Sequence, residues 1–200
     1  AVQESVRRIR TIALVHESLS REPGEDIAFI EIVRPLLRLA EEGLQSPDRP
    51  VRFTVTGDGG RIPAHTATPL SVVLTELLQN AVDHGFPEGG PGGQVSVALT
   101  QNQHRLDVRV IDNGRGVAPG FDLDASTGLG LSTIVWILER CDGVMDVTSE
   151  PGVGTTFSLF LQPCAHTDEL VTIVSQPESG VEPGLNSKIR ILVVEDEDDV

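Results

Sequence analysis

Apolar residues recur at steps of three and four in the first part of the sequence, which predicts two amphipathic helices. The first covers residues 1–20 and stops before the breaker Pro23-Gly24, and the second covers residues 26–44. Pro35 is expected to kink the second helix or to move its start, because proline lacks a backbone N–H.

Alternation of apolar and polar residues predicts strands over residues 51–56, 95–99, 106–110, 144–149 and 155–161. Two more helices are predicted between these strands, one from near Pro69 to about Asp83 and one from Leu131. Helices on one face of a mixed sheet are the expected packing of this order of elements. The predicted fold class is therefore α/β, a two-layer sandwich of a mixed β-sheet and helices.

The formal net charge of −15 disfavours nucleic acid as a partner, because phosphate contacts need clusters of Lys and Arg. Lys188 is the only lysine, so a phosphate site elsewhere must use arginine, histidine, backbone N–H groups or a bound cation. No run approaches the roughly 18–20 apolar residues of a membrane span, and no signal peptide opens the sequence. Cys141 and Cys164 lack metal-site spacing and are expected to be reduced. These features favour a cytoplasmic protein without a membrane segment.

Two glycine-rich turns bracket one segment of the chain, and they are Asp112-Asn113-Gly114-Arg115-Gly116 and Thr127-Gly128-Leu129-Gly130-Leu131. Glycine lets backbone N–H groups approach a bulky anion without side-chain obstruction. The second turn opens a predicted helix, whose unpaired N–H groups favour phosphate. Asp112 is either an ordinary turn carboxylate or an acceptor for the exocyclic amine of adenine. The pair of turns predicts a bound nucleotide.

Glu76 and Asn80 lie four residues apart in the third predicted helix, so their side chains share one face, which Asp83 or His84 continues. A carboxylate and an amide oxygen that project together suit a hard cation such as Mg²⁺, which keeps water and phosphate oxygens as its other ligands. The alternative is a solvated polar stripe.

These motifs and Gly154-Thr155-Thr156-Phe157 together resemble the Bergerat-type ATP-binding fold of the GHKL proteins over about residues 68–161. Glu76 and Asn80 resemble the N box, and the two glycine turns resemble the two glycine boxes. The resemblance implies ATP and Mg²⁺ as ligands. It implies catalytic and metal-binding roles for Glu76 and Asn80, and nucleotide contacts for Asp112, Gly114, Gly116, Thr155 and Thr127 to Leu131. Thr155 is preferred over Thr156 because period-two alternation places it on the face of Phe157.

Residues 4–20 resemble the second dimerisation helix of the HisKA_2-type sensor histidine kinases. The resemblance implies a homodimer through this helix and an ATP γ-phosphoryl transfer to a histidine outside the sequence, followed by relay to an aspartate of a response-regulator receiver domain. His16 is not the phosphoacceptor by this resemblance and is interpreted as structural. The expected domains are part of the dimerisation helix (residues 1–21), the ATP-binding catalytic domain (22–163), a linker (164–188) and an acidic tail (189–200).

Two features depart from the pattern of ordinary histidine kinases. The position three residues after Asn80 usually carries Lys or Arg to reach phosphate, but here it is Asp83. Arg115 and His84 are the candidates to compensate. The segment between the glycine turns is short, and Phe121 is only a weak substitute for the family's F box.

Residues 188–197 resemble the opening of a receiver domain, a buried strand followed by the acidic pair Glu195-Asp196. A disordered acidic tail is the alternative. Two other functions stay open for the whole sequence. An anti-sigma-factor serine kinase shares the ATP fold but lacks the dimerisation helix, and a non-catalytic nucleotide-binding or dimerisation module is compatible with Asp83.

Overall fold

The computed structural model describes residues 26–44, 48–102, 105–117 and 143–162, the backbone of 189–193, and the single positions Ala13, Ile134, Ile137, Leu138 and Cys141. Apart from the helical Ala13, the predicted dimerisation helix with its His16 lies outside the described residues, as do the second glycine turn, Phe121 and the linker. The expected domain boundaries therefore stay predictions.

The described chain forms two long helices and eight strands. In chain order these are β1 (Ile27–Ala28), α1 (Phe29–Leu44), β2 (Val51–Thr56), β3 (Arg61–Ile62), α2 (Ala64–Gly85), β4 (Gly93–Gln101), β5 (Leu106–Asp112), β6 (Val144–Glu150), β7 (Gly154–Leu161) and β8 (Ile189–Val193). Ile134, Ile137 and Leu138 are also helical and buried, as expected for the helix predicted from Leu131.

Six of the described strands form one sheet in the order β2-β4-β5-β7-β6-β8. The pairs β4–β5, β5–β7 and β6–β7 are antiparallel, whereas β2–β4 and β6–β8 are parallel. The short strands β1 and β3 pair with each other separately. The predicted α/β class with a mixed sheet is confirmed.

Helix α1 starts at Phe29, three residues later than predicted, because Ile27 and Ala28 pair with β3 instead. The helix continues through Pro35. Its buried positions follow the helical spacing and pack against α2 and β2; they are Phe29, Ile32, Val33, Leu36, Leu37, Ala40 and Leu44.

Helix α2 starts at Ala64, before the start predicted near Pro69. Pro63 is its extended N-cap residue, and the Pro63 carbonyl accepts the N–H groups of Thr66 and Ala67, both at 3.0 Å. This first turn carries no clear apolar period, so the sequence pattern did not reveal it. Pro69 is therefore buried inside the helix, one turn beyond its expected place.

The core lies between the helices and one face of the sheet, where α2 packs against β4, β5 and β7. The strands contribute alternate residues to it, including Val95, Val97, Val108, Val110, Met145, Phe157 and Leu159. On the other face the Arg105 guanidinium carbon lies 4.6 Å from the centre of the Phe160 ring. In the described part of the chain no helix is long and apolar enough to cross a membrane.

Strand β8 confirms that the chain forms a strand from residue 189, and it pairs with β6. The pairing is parallel, from Met145 opposite Ile189 to Ser149 opposite Val193. A single strand cannot fold alone, and this pairing places it at the edge of the six-stranded sheet. Its likeness to a receiver domain stays a prediction.

Candidate functional site

Two of the segments singled out in the sequence, the first glycine turn and the start of the last strand, meet at one end of the sheet. Asp112, the last residue of β5, pairs with Thr155 near the start of β7. Ser149, near the end of β6, pairs with Thr155 from the other side. The end of α2 lies beside them, since a Cβ added to Gly85 would come within 3.2 Å of Asp112 Oδ1.

Asp112 is buried, with 5% of its surface exposed. Its Oδ1 accepts the backbone N–H groups of Gly114 at 2.9 Å and Thr155 at 3.3 Å. Burial raises the pKa of the Asp112 carboxyl, and the two backbone N–H groups oppose this by stabilising the ionised form. Because both of these bonds use Oδ1, Oδ2 is the oxygen that can accept from a ligand amine.

Gly114 packs against the last turn of α2. A Cβ built on Gly114 would lie 2.6 Å from both the Cα and the carbonyl oxygen of Gly85. The sequence suggested that Gly114 keeps the backbone open to a ligand, whereas the described contacts show that the helix end already requires a glycine. Its contact with nucleotide stays a prediction. The sequence did not reveal this contact of Gly85, because a glycine at the end of a helix is ordinarily explained by helix capping.

Arg115 is tied to the same helix end. Its backbone N–H donates to the Gly85 carbonyl at 2.9 Å, and its Nε donates to the His84 carbonyl at 2.6 Å. The guanidinium therefore satisfies a carbonyl that the helix leaves unpaired and complements the negative end of the helix dipole.

His84 lies in the last turn of α2. Partial burial lowers the pKa of the imidazole; Asp83 raises it and Arg115 lowers it. The imidazole is therefore biased towards its neutral form, which makes His84 a weak substitute for a permanent cation near phosphate.

Gly116 and Gly154 interlock the first glycine turn with the β6–β7 turn. Gly116 has a φ of +69°, and a Cβ there would lie 2.3 Å from the Glu150 carbonyl oxygen. Gly154 has a φ of +141°, and its Cβ would lie 2.0 Å from the Asp112 carbonyl oxygen. The Gly152 N–H donates to the Arg115 carbonyl at 2.8 Å. The two turns thus hold Asp112 and Thr155 together.

Glu76 and Asn80 project from α2 further from this end. Glu76 is 7% exposed and Asn80 is half-buried, so Glu76 does not belong to a solvated polar stripe. At the rise of an α-helix, Asn80 lies about 7.5 Å and Glu76 about 13.5 Å from Gly85 along the axis. The expected metal end and adenine end of the site are therefore separated along α2, as an extended ligand requires.

Ser149 was missed as a site residue, although it joins three parts of the site. The side chain is buried at 2% exposure, and its Oγ accepts the Val117 N–H at 2.9 Å. The same Oγ lies 3.1 Å from the Gly154 carbonyl oxygen and 3.1 Å from Thr155 Oγ1. A serine at an inward-facing position of β6, in period with Met145 and Val147, was the available signal.

The donor set fits the ligands that the sequence implied. Asp112 offers a buried carboxylate with one oxygen already fixed, which suits an amine such as that of adenine. Asn80 and Glu76 offer the amide and carboxylate oxygens that Mg²⁺ accepts. Among the described residues no group of three or more His, Cys, Asp and Glu side chains could hold a metal ion. A magnesium ion at Asn80 would thus depend on phosphate oxygens and water for its other ligands.

Thr155 is 7% exposed, and Thr156 is half-buried. The alternation that favoured Thr155 is therefore present in β7. Thr127, Gly128, Leu129, Gly130 and Leu131 lie outside the described residues, and their contacts with phosphate stay predictions.

Comparisons with known proteins show which proteins this chain is similar to. Residues 65–164 match the family described as histidine kinase-, DNA gyrase B- and HSP90-like ATPases. The chain is 39% identical over 134 residues to sensor histidine kinase PdtaS of Mycobacterium tuberculosis, covering 67% of this chain and 26% of that protein. It is 36% identical over 156 residues to sensor histidine kinase PdtaS of Mycolicibacterium smegmatis, covering 78% of this chain and 31% of that protein. The chain thus spans under a third of the curated relatives it matches.

Solved structures show the same fold. The histidine kinase domain of the Erythrobacter litoralis EL346 blue-light activated histidine kinase superposes with a TM-score of 0.71 at 19% identity. The match covers 80% of this chain and 75% of that chain.

Replacing Gly116 tests whether its contact with Glu150 matters beyond its backbone conformation. Gly152 has a similar φ of +79°, but a Cβ there would meet nothing within 4 Å. Gly152→Ala is expected to lower the free energy of unfolding by about 1–2 kcal/mol, from backbone conformation alone. Gly116→Ala is expected to cost about 1–3 kcal/mol more, from crowding against the Glu150 carbonyl. Urea denaturation measures both, and equal losses would contradict the interlock.

Replacing Ser149 tests its hydrogen bonds. Ser149→Ala is expected to lower the free energy of unfolding by about 1–3 kcal/mol, because the Val117 N–H loses its acceptor. Ser158→Ala on the neighbouring strand is the matched control, since Ser158 is half-buried on the other face of the sheet. Denaturation by urea gives both values, and a Ser149→Ala loss no larger than the control's would refute the role of this hydroxyl.

Proposed function

We propose that this chain, which belongs to the family of histidine kinase-, DNA gyrase B- and HSP90-like ATPases, carries the ATP-binding catalytic domain of a sensor histidine kinase. The observation that carries the proposal is the buried Asp112, whose carboxylate is held by the N–H groups of Gly114 and Thr155 beside the end of α2. The similarity to two PdtaS sensor histidine kinases supports it.

Asp112 is the proposed adenine-binding residue. The Gly114 and Thr155 N–H groups hold Oδ1, so Oδ2 can accept from the exocyclic amine, which adenine has at the position where guanine has a carbonyl. The Thr155 hydroxyl, held by Ser149, lies beside Asp112 in the ladder and completes the adenine end. The rigid backbone around both side chains lets them bind without reorganisation.

The phosphate end is proposed to lie along α2. Asn80 and Glu76 would supply oxygen ligands to Mg²⁺, with phosphate oxygens and water completing its shell. The N–H groups of Thr127 to Leu131, at the start of the following helix, would contact the phosphates. ATP supplies the γ-phosphoryl group, and the chain contributes mainly positioning and charge neutralisation.

The acceptor is proposed to be a histidine outside residues 1–200, with relay to an aspartate of a response-regulator receiver domain. Residues 1–21 would dimerise with a second copy and bring that histidine to the ATP site. Dependence on ATP is in keeping with the cytoplasmic location expected from the sequence.

Substitutions at the two ends of the site test nucleotide binding. The wild-type chain is expected to bind ATP in the presence of Mg²⁺. Asp112→Asn is expected to weaken ATP binding by roughly 10- to 100-fold, because a charge-assisted hydrogen bond contributes about 1.5–3 kcal/mol. Asn80→Asp is expected to weaken it as well, because a second carboxylate would face the triphosphate. Isothermal titration calorimetry measures each affinity.

Asp107→Asn is the control, since Asp107 lies on β5 away from the site end and pairs with Arg105. Its affinity for ATP is expected to match the wild type. Unchanged affinity in both Asp112→Asn and Asn80→Asp would refute the assignment of the site.

Supplying the missing acceptor tests the kinase reaction. The chain alone is expected to incorporate no label from [γ-³²P]ATP, whereas addition of a homologous helix carrying the phosphoacceptor histidine should produce phosphohistidine. Label on a protein serine would instead favour an anti-sigma-factor-type kinase. No label in the presence of bound ATP would favour a non-catalytic nucleotide-binding module. Label on His16 would refute the assigned acceptor.

A further inference from the structure

The described polar face of α2 is poor in positive charge for a site that takes a polyphosphate. Glu76 is a carboxylate, and Asp83 stands where a Lys or Arg would reach phosphate. Of the two candidates to compensate, Arg115 is tied to the helix end through its Nε and keeps only its Nη donors, and the His84 imidazole is biased towards its neutral form. A further permanent cation would therefore complement a polyphosphate at this end of the site.

Arg49 lies at the same end of the sheet as Asp112. The carbonyl of Pro50, which follows Arg49, accepts the Gly93 N–H at 3.0 Å. Gln94, which follows Gly93, donates its backbone N–H to Asn113 Oδ1 at 2.7 Å. The start of β2 is thereby joined through β4 to the first glycine turn. Arg49 is far from Asp112 in sequence, but the fold places both at the same end of the sheet.

The side chain of Arg49 reaches α2. Its Nη1 lies 3.5 Å from Asp83 Oδ1, with the Arg49 side chain 18% exposed and the Asp83 side chain 43% exposed. Oδ2 of Asp83 accepts a hydrogen bond from Nε2 of Gln79, one turn earlier in the helix. Asp83 is therefore held on both oxygens and serves as the anchor of a guanidinium.

The Arg49 guanidinium keeps donors for a ligand. Arginine has five N–H donors, and the described ion pair engages Nη1 alone. Nε of Arg49 is buried and has no hydrogen-bond partner among the described residues. Because a buried Nε is not accessible to a ligand, the donors that Arg49 keeps for one are those of its Nη groups.

We propose that Arg49, anchored by Asp83, contacts the phosphate groups of the nucleotide and replaces the basic residue that usually follows Asn80 by three positions. The inference rests on the proposed function. Residues three apart on a helix are neighbours, so a guanidinium held at Asp83 lies beside the face of Asn80. The cation of the phosphate site thus comes from the loop before β2, and the helix contributes the carboxylate that orients it.

A comparison of nucleotides tests this role. Arg49→Met keeps the apolar length of the side chain and removes its charge. This variant is expected to lose at least about tenfold in affinity for ATP in the presence of Mg²⁺, because charge-assisted hydrogen bonds to phosphate are lost. Its affinity for adenosine, measured by the same calorimetric titration, is expected to stay within about twofold of the wild type. Arg49→Lys keeps the charge and is expected to recover part of the ATP affinity.

Arg52→Met is the matched control, since it makes the same change at an exposed position of β2, the strand that follows Arg49. It is expected to leave both affinities unchanged. Equal losses for ATP and adenosine in Arg49→Met, or no loss for either, would overturn the inference and leave Arg49 as a structural tie to α2. Absence of ATP and adenosine binding by the wild-type chain would instead overturn the proposed function, and the inference with it.

Discussion

The carboxylate of Asp112 is the contact on which the arrangement of the site depends. One oxygen accepts two backbone N–H groups, from Gly114 in the turn that follows β5 and from Thr155 in β7. Burying an ionised carboxylate without such donors would cost free energy. These two hydrogen bonds therefore tie the turn and β7 to Asp112 as long as its carboxyl is ionised. Oδ2 remains as the oxygen that we propose accepts from a ligand amine.

Close backbone packing around this contact explains why glycines surround it. Gly114 lies against Gly85, Gly116 against the Glu150 carbonyl, and Gly154 against the Asp112 carbonyl. Each position would clash as alanine in the described protein alone, before any ligand binds. The glycine spacing in the sequence therefore reflects how a helix end, a turn and two strands fit together, and contact of these glycines with a nucleotide stays a prediction.

Local patterns predicted the elements that depend on local physics. Alternation found β5, β6 and β7, and the helical period found most of α1. The first turn of α2 was missed because it rests on the Pro63 carbonyl and the burial of Ala67, neither of which has a periodic signature. Ser149 was missed for a related reason, since one polar residue in an apolar alternation does not identify the groups that it will contact.

By itself the sequence determined the mixed α/β class, the placement of Glu76 and Asn80 on one helix, the burial of Thr155 rather than Thr156, and the family resemblance. These follow from the order and spacing of residues within single segments, together with the period of the helix or strand that each segment forms. Only the tertiary structure decided that Arg115 binds the end of α2, that Ser149 joins Val117 to Thr155, and that Arg49 reaches Asp83. Such contacts join residues distant in sequence, and their distances exist only once the strands have paired and the helix has packed on them.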